Sequence, residues 1–293
     1  MLAAPRHLAA PSRRRILVLA ATMGAMGCGG LSGASWRLRP ADSRLFIAGD
    51  STASAYGPER YPRMGWGMVF GCGLAPGVRL DNRAASGRST KSFIKEGRWA
   101  ALLRDLSPGD AVLIQFGHND AKREDPSRFT AADGAFSDNL NRFLDDVARA
   151  DAEAILLTPV ARRRFAEGRA IDSHGAYGEA VRAVARGSGA PLVDLLQASL
   201  ALLDAIGEEA SRAYFLHPGV TAGLAEAPDM TPDDTHFSEA GARAIAGLVA
   251  QGLSTSQTRA AAWVDPLVQG YDPSLRLGGP GCETSATIEG NAS

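Results

Sequence analysis

Leu45-Phe46-Ile47-Ala48-Gly49-Asp50-Ser51-Thr52 is a short apolar run that stops at a glycine, an acid and two hydroxyl residues. Four apolar side chains in a row suit a strand buried on both faces, as in a parallel sheet covered by helices. The polar group after it then stands at the strand's carboxyl end, where ligands collect in open α/β sheets. Gly49 permits a tight turn, and the backbone N–H of Ser51 would be placed to donate to a developing oxyanion. Taken alone, a serine here is more often just a cap on the following helix.

Runs of the same kind occupy residues 78–80, 111–116, 154–157 and 192–195. Between them apolar residues recur at three and four, as in Phe136, Leu140, Phe143, Leu144 and Val147, and in Tyr177, Val181 and Val184. That spacing is the stripe of an amphipathic helix. Strand and helix alternating in this way predict an open α/β sheet with right-handed crossovers. The last helix is expected to begin near Ser238, an N-cap, with Ala242, Ile245, Leu248 and Val249 on its inner face. No internal repeat or sustained heptad is visible.

At 293 residues and 45% hydrophobic content the chain can bury one substantial core, so one catalytic domain is the default. Formal net charge is −1, and the first 28 residues hold Arg6, Arg13, Arg14 and Arg15 with no acid, which leaves the rest mildly acidic. Such a body does not suit a phosphate backbone and argues against nucleic acid as a partner. Residues 29–43 are small and polar and read as a linker, with the catalytic domain spanning 44–252. The stretch 253–293 turns irregular and is expected to be partly ordered at most.

The N-terminus has the layout of an export signal over residues 1–28. A basic stretch ends at Arg13-Arg14-Arg15, and an apolar run follows from Ile16 to about Gly27. That run is too short for a membrane span, which takes roughly 20 residues. Arg13-Arg14 followed by Ile16 and Leu17 looks like a twin-arginine signal, with Sec export open as well. Ala25-Met26-Gly27-Cys28 also resembles a lipoprotein cleavage site, so a lipid anchor at Cys28 is the one membrane attachment left open. The expected location is periplasmic or extracellular. Of the three cysteines, Cys72 and Cys282 remain either as a disulfide or as two free thiols, the two readings being equally supported.

Three further segments carry polar chemistry. Asn82-Arg83-Ala84-Ala85-Ser86-Gly87-Arg88-Ser89 follows a strand, and Gly87 would allow close backbone approach with its N–H as an oxyanion donor, although a loop glycine is usually only a turn. Phe116-Gly117-His118-Asn119-Asp120 follows the central strand; Asn119 offers an uncharged N–H donor, and Asp120 reads equally as a helix cap. His118 lacks a carboxylate at a useful spacing and reads as structural. Asp233-Asp234-Thr235-His236 precedes the last helix, and a carboxylate three residues before a histidine in a turn can accept from one ring nitrogen, leaving the other to take a serine proton. His174 and His217 have no such partner. Asp and His also ligate metals, but too few other Cys or His residues exist to complete a shell, and no cofactor is expected.

Taken in order, Gly49-Asp50-Ser51-Thr52, Ala85-Ser86-Gly87-Arg88-Ser89, Gly117-His118-Asn119-Asp120 and Asp233-Asp234-Thr235-His236 resemble the four signature blocks of the SGNH (GDSL-like) hydrolases over roughly residues 44–252. Gly65-Trp66-Gly67 and Glu96-Gly97-Arg98-Trp99 make the chain most similar to the rhamnogalacturonan acetylesterases within them. The resemblance implies a three-layer α/β/α sandwich with a five-stranded parallel sheet, a flavodoxin-like arrangement. It implies Ser51 as nucleophile, His236 as base and Asp233 as its partner, with Ser51, Gly87 and Asn119 forming the oxyanion hole. Family spacing, not this chain, prefers Asp233 to Asp234. The implied activity is release of acetyl groups from a carbohydrate such as rhamnogalacturonan, without a cofactor.

Two other readings stand beside this one. A lipase or thioesterase would keep the triad and need an extended apolar groove. A non-catalytic carbohydrate-binding module would have no use for a base aimed at a serine. Trp66 and Trp99 are either sugar-stacking platforms or core, and core is the expectation. The sequence gives no sign of the oligomeric state.

Overall fold

The computed structural model describes residues 43–221 and 231–282. The expected export signal, with Cys28, and nearly all of the expected linker lie outside the described residues. Strand β1 (Arg44–Gly49) is followed by β2 (Arg79–Asn82), the short helices α1 (Thr90–Lys95) and α2 (Arg98–Asp105), and β3 (Ala111–Gln115). Next come α3 (Ser137–Arg149), β4 (Glu153–Leu157), a two-residue hairpin of β5 (Phe165–Ala166) and β6 (Arg169–Ala170), and α4 (Ala176–Ser188). The chain continues through β7 (Leu192–Val193), α5 (Leu195–Ile206), β8 (Phe215–Leu216), β9 (Asp233–Phe237) and α6 (Glu239–Ser254).

Five of these strands pair in parallel in the order β2-β1-β3-β4-β7. Alternate side chains of a strand leave on opposite faces, and both faces are covered here. Leu45 and Ile47 of β1 join one apolar cluster with Leu195 and Leu203 of α5 and Ala242 and Val249 of α6. Phe46 and Ala48 join a second with Phe93 of α1, Trp99 of α2, Phe143 of α3 and Val181 of α4. The result is the expected three-layer α/β/α sandwich. The amphipathic stripes behave as their spacing requires: Leu140, Phe143 and Val147 of α3 are buried, as are Tyr177, Val181 and Val184 of α4. Ser238 caps α6, its side chain accepting from the Gly241 N–H.

Two local expectations change. The run at 192–195 is a strand only at Leu192 and Val193, because the Asp194 side chain accepts the Gln197 N–H and starts α5 there. The segment 233–236 is not a turn but strand β9, paired antiparallel with β8. The first turns on a local cap between Asp194 and Gln197 and the second on backbone pairing of β9 with β8, and neither leaves a mark in apolar periodicity.

Within the C-terminal stretch, residues of the described part 253–282 pack against the domain. Trp263 and Tyr271 are buried, and the Tyr271 hydroxyl donates to the Phe70 carbonyl at 2.6 Å. Cys72 and Cys282 are joined in a disulfide. On α6, Arg243 and Glu239 form a buried ion pair, and Arg243 donates to the carbonyls of Gly270, Gly279 and Gly281 while Glu239 accepts from the N–H groups of Leu277 and Gly278. A few anchors and side chain to backbone bonds thus hold a segment with no apolar period. Residues 283–293 lie outside the described residues.

Candidate active site

The turn after β1 is fixed by Asp50. Its Oδ1 accepts from the N–H of Thr52 at 2.9 Å and from its hydroxyl at 2.8 Å, and its Oδ2 faces His118 Nδ1 at 3.1 Å. Asp50 is fully buried, and burial opposes its charge, but the His118 ring and the Thr52 bonds outweigh this and hold the carboxyl below its usual value. Burial likewise pushes the His118 ring below the ordinary histidine value, against the pull of Asp50. A neutral His118 donating its Nδ1–H to a charged Asp50 satisfies both directions. The carboxylate that sequence spacing could not find for His118 stands 68 residues away.

Gly65-Trp66-Gly67 leans on this turn. A Cβ at Gly65 would meet the Ser54 carbonyl at 2.2 Å, and one at Gly67 the Ala53 carbonyl at 2.5 Å, so only glycine lets the backbones approach so closely. Trp66 is buried and donates its indole N–H to Gln115 Oε1 at 2.7 Å, while Trp99 packs against Phe143. Both tryptophans belong to the core.

Ser51 Oγ lies 2.9 Å from His236 Nε2, and His236 Nδ1 lies 2.7 Å from Asp233 Oδ2. With Nδ1–H donated to the carboxylate, Nε2 is left as the acceptor for the serine hydroxyl. Asp233 Oδ1 also accepts the N–H groups of Thr235 and His236, and Arg63 sits 3.3 Å from Oδ2. Burial would raise this carboxyl, but His236 and the two N–H groups prevail and hold it well below the usual carboxylate range. Asp234 points elsewhere, accepting from Arg163 Nη1 at 3.1 Å and His217 Nε2 at 2.9 Å. The two adjacent acids, inseparable in the sequence, thus have separate partners.

Gly87 follows β2 with φ of 80°, the left-handed region that favours glycine. Asn119 follows β3; one of its two amide hydrogens is donated to the Arg88 carbonyl at 3.1 Å, and its Oδ1 accepts from Arg128 at 3.3 Å. The second amide hydrogen remains available. Asp120 is a long-range cap: it accepts the N–H and hydroxyl of Thr90 at the start of α1 and the Thr130 hydroxyl. Burial raises its carboxyl to about 6 despite those bonds.

All five sequence-predicted residues, Ser51, Gly87, Asn119, Asp233 and His236, line one cavity of about 280 Å³. Four elements far apart in the chain deliver them to one rim of the sheet. Sequence reading missed Arg63, Lys122, Arg128 and Arg162, which line the same cavity; single arginines and lysines between elements carry no motif.

The stretch that builds this cavity is also the stretch that matches known proteins. The model of the GDSL-like lipase/acylhydrolase family matches residues 47–244. The chain belongs to that family. Among its GDSL-like relatives, rhamnogalacturonan acetylesterase RhgT of Bacillus subtilis (strain 168) is 40% identical over 217 residues, 72% of this chain and 89% of its own. The probable rhamnogalacturonan acetylesterase YesY of the same organism is 34% identical over 211 residues, 72% of this chain and 92% of its own. Among solved structures, YxiM of Bacillus subtilis has a TM-score of 0.62 at 25% identity, covering 72% of this chain and 56% of that one. The acetylxylan esterase Axe2 from Geobacillus stearothermophilus shares the fold, with a TM-score of 0.51, 19% identity and coverage of 72% and 94%.

Proposed function

We propose that this GDSL-like hydrolase removes acetyl groups from a carbohydrate, a pectic polysaccharide such as rhamnogalacturonan. The observation that carries the reading is the unbroken line from Ser51 Oγ through the His236 ring to Asp233, at 2.9 Å and 2.7 Å. Ser51 attacks the ester carbonyl as His236 Nε2 takes its proton, and Asp233 stabilises the imidazolium. The N–H groups of Ser51 and Gly87 and the Asn119 amide hold the tetrahedral oxyanion. Collapse expels the sugar hydroxyl, protonated by His236, and leaves an acetyl-enzyme. Water activated by the same ring then releases acetate.

The relatives' printed activities support acetyl as the acyl group and a carbohydrate as its carrier. The cavity supports it as well: its lining is rich in charged side chains, a poor surface for a long acyl chain. Export to an oxidising compartment is part of the proposal, and the disulfide between Cys72 and Cys282 supports it.

Acetate release across a panel of acetylated pectins, xylans and simple sugars tests the reading. Release from pectic substrates that vanishes in Ser51→Ala is expected. Activity confined to long-chain acyl esters, or surviving in folded Ser51→Ala, would reject it.

A further inference from the structure

Each carbonyl from residue 50 to 53, the turn that carries Ser51, has a donor. That of Asp50 accepts the Ala53 N–H at 3.3 Å, that of Thr52 the Trp66 N–H at 2.9 Å, and that of Ala53 the side-chain amide of Asn82 at 2.8 Å. The Ser51 carbonyl accepts instead from the phenol hydroxyl of Tyr56, at 2.7 Å. The same peptide unit is gripped at its other end, where the Thr52 N–H donates to Asp50 Oδ1 at 2.9 Å. A peptide is a rigid plane, so a residue has only the two rotations on either side of its Cα. The Ala53 bond fixes the plane before Ser51, and Tyr56 with Asp50 fixes the plane after it. Both rotations of Ser51 are then set, and with them the direction of its N–H and the base from which Oγ projects.

Tyr56 is itself held in place. Its ring lies 5.8 Å from the Arg63 guanidinium, within reach of a cation–π contact, and Arg63 also meets Asp233 Oδ2 at 3.3 Å. Next along the chain, the Met64 N–H donates to the carbonyl of Phe237, the residue after His236, at 3.0 Å. The segment from Tyr56 to Met64 therefore touches both ends of the triad, the serine through the phenol and the acid through the guanidinium. Burial raises the Tyr56 phenol above its usual value, with Ser86 and Arg63 pulling the other way, so the hydroxyl stays a protonated donor at neutral pH. Tyr56 does not line the cavity, so it acts through Ser51 and not on substrate.

We propose that Tyr56 is a positioning residue for acyl transfer: by holding the Ser51 carbonyl, its hydroxyl aims the Ser51 N–H at the oxyanion and Oγ at the ester carbon. The proposal rests on the Ser51 chemistry above and is indifferent to which sugar carries the acetyl group. Oxyanion donors act over a short range, and a displacement of about 1 Å costs on the order of 10² in rate. A bond that sets the donor's direction is therefore felt in the transition state and not in substrate binding. Formation and hydrolysis of the acetyl-enzyme use the same oxyanion donors, so both steps depend on it alike.

The experiment compares the parent with Tyr56→Phe, which removes one oxygen and keeps the ring, and Tyr56→Leu, which removes both. Rates on p-nitrophenyl acetate are taken per Ser51 titrated to completion with a fluorophosphonate, so that partial unfolding does not imitate the effect. Tyr56→Phe is expected to lower kcat about tenfold, the worth of one hydrogen bond, with KM near that of the parent because both acyl steps slow together. Methylboronic acid gives a second readout, since its boron takes the Ser51 oxygen as the hydroxyl proton passes to His236 and the adduct is tetrahedral. Its Ki should rise by the same factor as kcat falls. Tyr56→Leu should lower kcat little further while losing thermal stability. A Phe variant with the parent's kcat, a loss confined to KM or to melting temperature, an unchanged boronate Ki, or failure of Tyr56→Phe to fold would each overturn the proposal. Loss of rate in the Leu variant alone would make the ring a packing element, against it as well. No rate in the parent would fault the esterase reading, and this inference with it.

Discussion

Asp50 and His118 meet at 3.1 Å, one at the end of β1 and the other at the end of β3, and they repeat the Asp–His pairing of Asp233 and His236 in the same site. Exposure separates their tasks. The side chains of Asp50 and His118 are 0% and 4% exposed, whereas those of Asp233 and His236 are 25% and 23% exposed. The first pair is buried and ties the Ser51 turn to the Asn119 segment; the second opens on the cavity, where the His236 ring faces the Ser51 hydroxyl at 2.9 Å. A neutral ring is what the buried pair requires, and the ring beside it, His174, is neutral for the same reason: burial pulls it down to about 2.

Acid should therefore destabilise the fold from near pH 6.5, well above the usual carboxylate range. His118 and His174 bind protons in the unfolded chain but not in the folded one, so stability is lost as pH falls below the unfolded histidine value. Each contributes a slope of about 1.4 kcal/mol per pH unit. Asp120, raised to about 6, acts in reverse: between its folded value and about 3.8 the folded chain binds the extra proton and gains stability on acidification. Two histidines against one aspartate leave a net loss. Urea unfolding at pH 7.5, 6 and 5 should show it, and a flat profile across that range would contradict the neutral pair.

Much of this was legible in the sequence, and the boundary is physical. Short apolar runs located the sheet because a strand buried on both faces must be apolar throughout, and Ser51, Gly87, Asn119, Asp233 and His236 stood out because each follows such a run or precedes the last helix. Asp50–His118, Asp234–His217 and Glu239 with the C-terminal segment did not stand out. Their partners are separated by 68, 17 and 38 residues, and no periodicity encodes a hydrogen bond across such distances.

Asp233→Asn and Asp234→Asn should separate the two adjacent acids. An amide at 233 can no longer favour the correct ring tautomer or stabilise the imidazolium, and kcat is expected to fall by about 10⁴. At 234 the same change weakens bonds to Arg163 and His217 that lie away from the ring, so the loss should appear in thermal stability, with kcat reduced less than about tenfold. Comparable losses of kcat in the two variants would mean that the pair shares the orienting role.

Replacing the disulfide, as Cys72→Ser with Cys282→Ser, should lower unfolding stability towards the upper end of about 2 to 5 kcal/mol, since the bridged residues are 210 apart and long loops lose most entropy on closure. Neither cysteine lines the cavity, so esterase turnover at 25 °C should stay near that of the parent. The check is denaturant unfolding of the variant beside the oxidised parent. Unchanged stability would mean that the buried contacts of Trp263, Tyr271 and Arg243 already hold the segment without the covalent link.

The Arg243–Glu239 pair gives a sharper test of how that segment is held. With side-chain exposures of 0% and 1%, either charge left alone is trapped away from water, so Arg243→Met is expected to cost about 3 to 5 kcal/mol. Glu239→Gln should cost less, because the amide oxygen in the place of Oε1 can still accept from Arg243 and the Leu277 N–H, and Arg243 keeps the carbonyls of Gly270, Gly279 and Gly281. The donors on Oε2, Tyr61 and the Gly278 N–H, lose their acceptor. In the double variant no charge is stranded, and its loss should be smaller than the two single losses added together. Urea unfolding of all four proteins measures the coupling. Strict additivity would show that the two side chains act on the C-terminal segment separately, Arg243 through the carbonyls of Gly270, Gly279 and Gly281 and Glu239 through the amides, rather than as one ion pair.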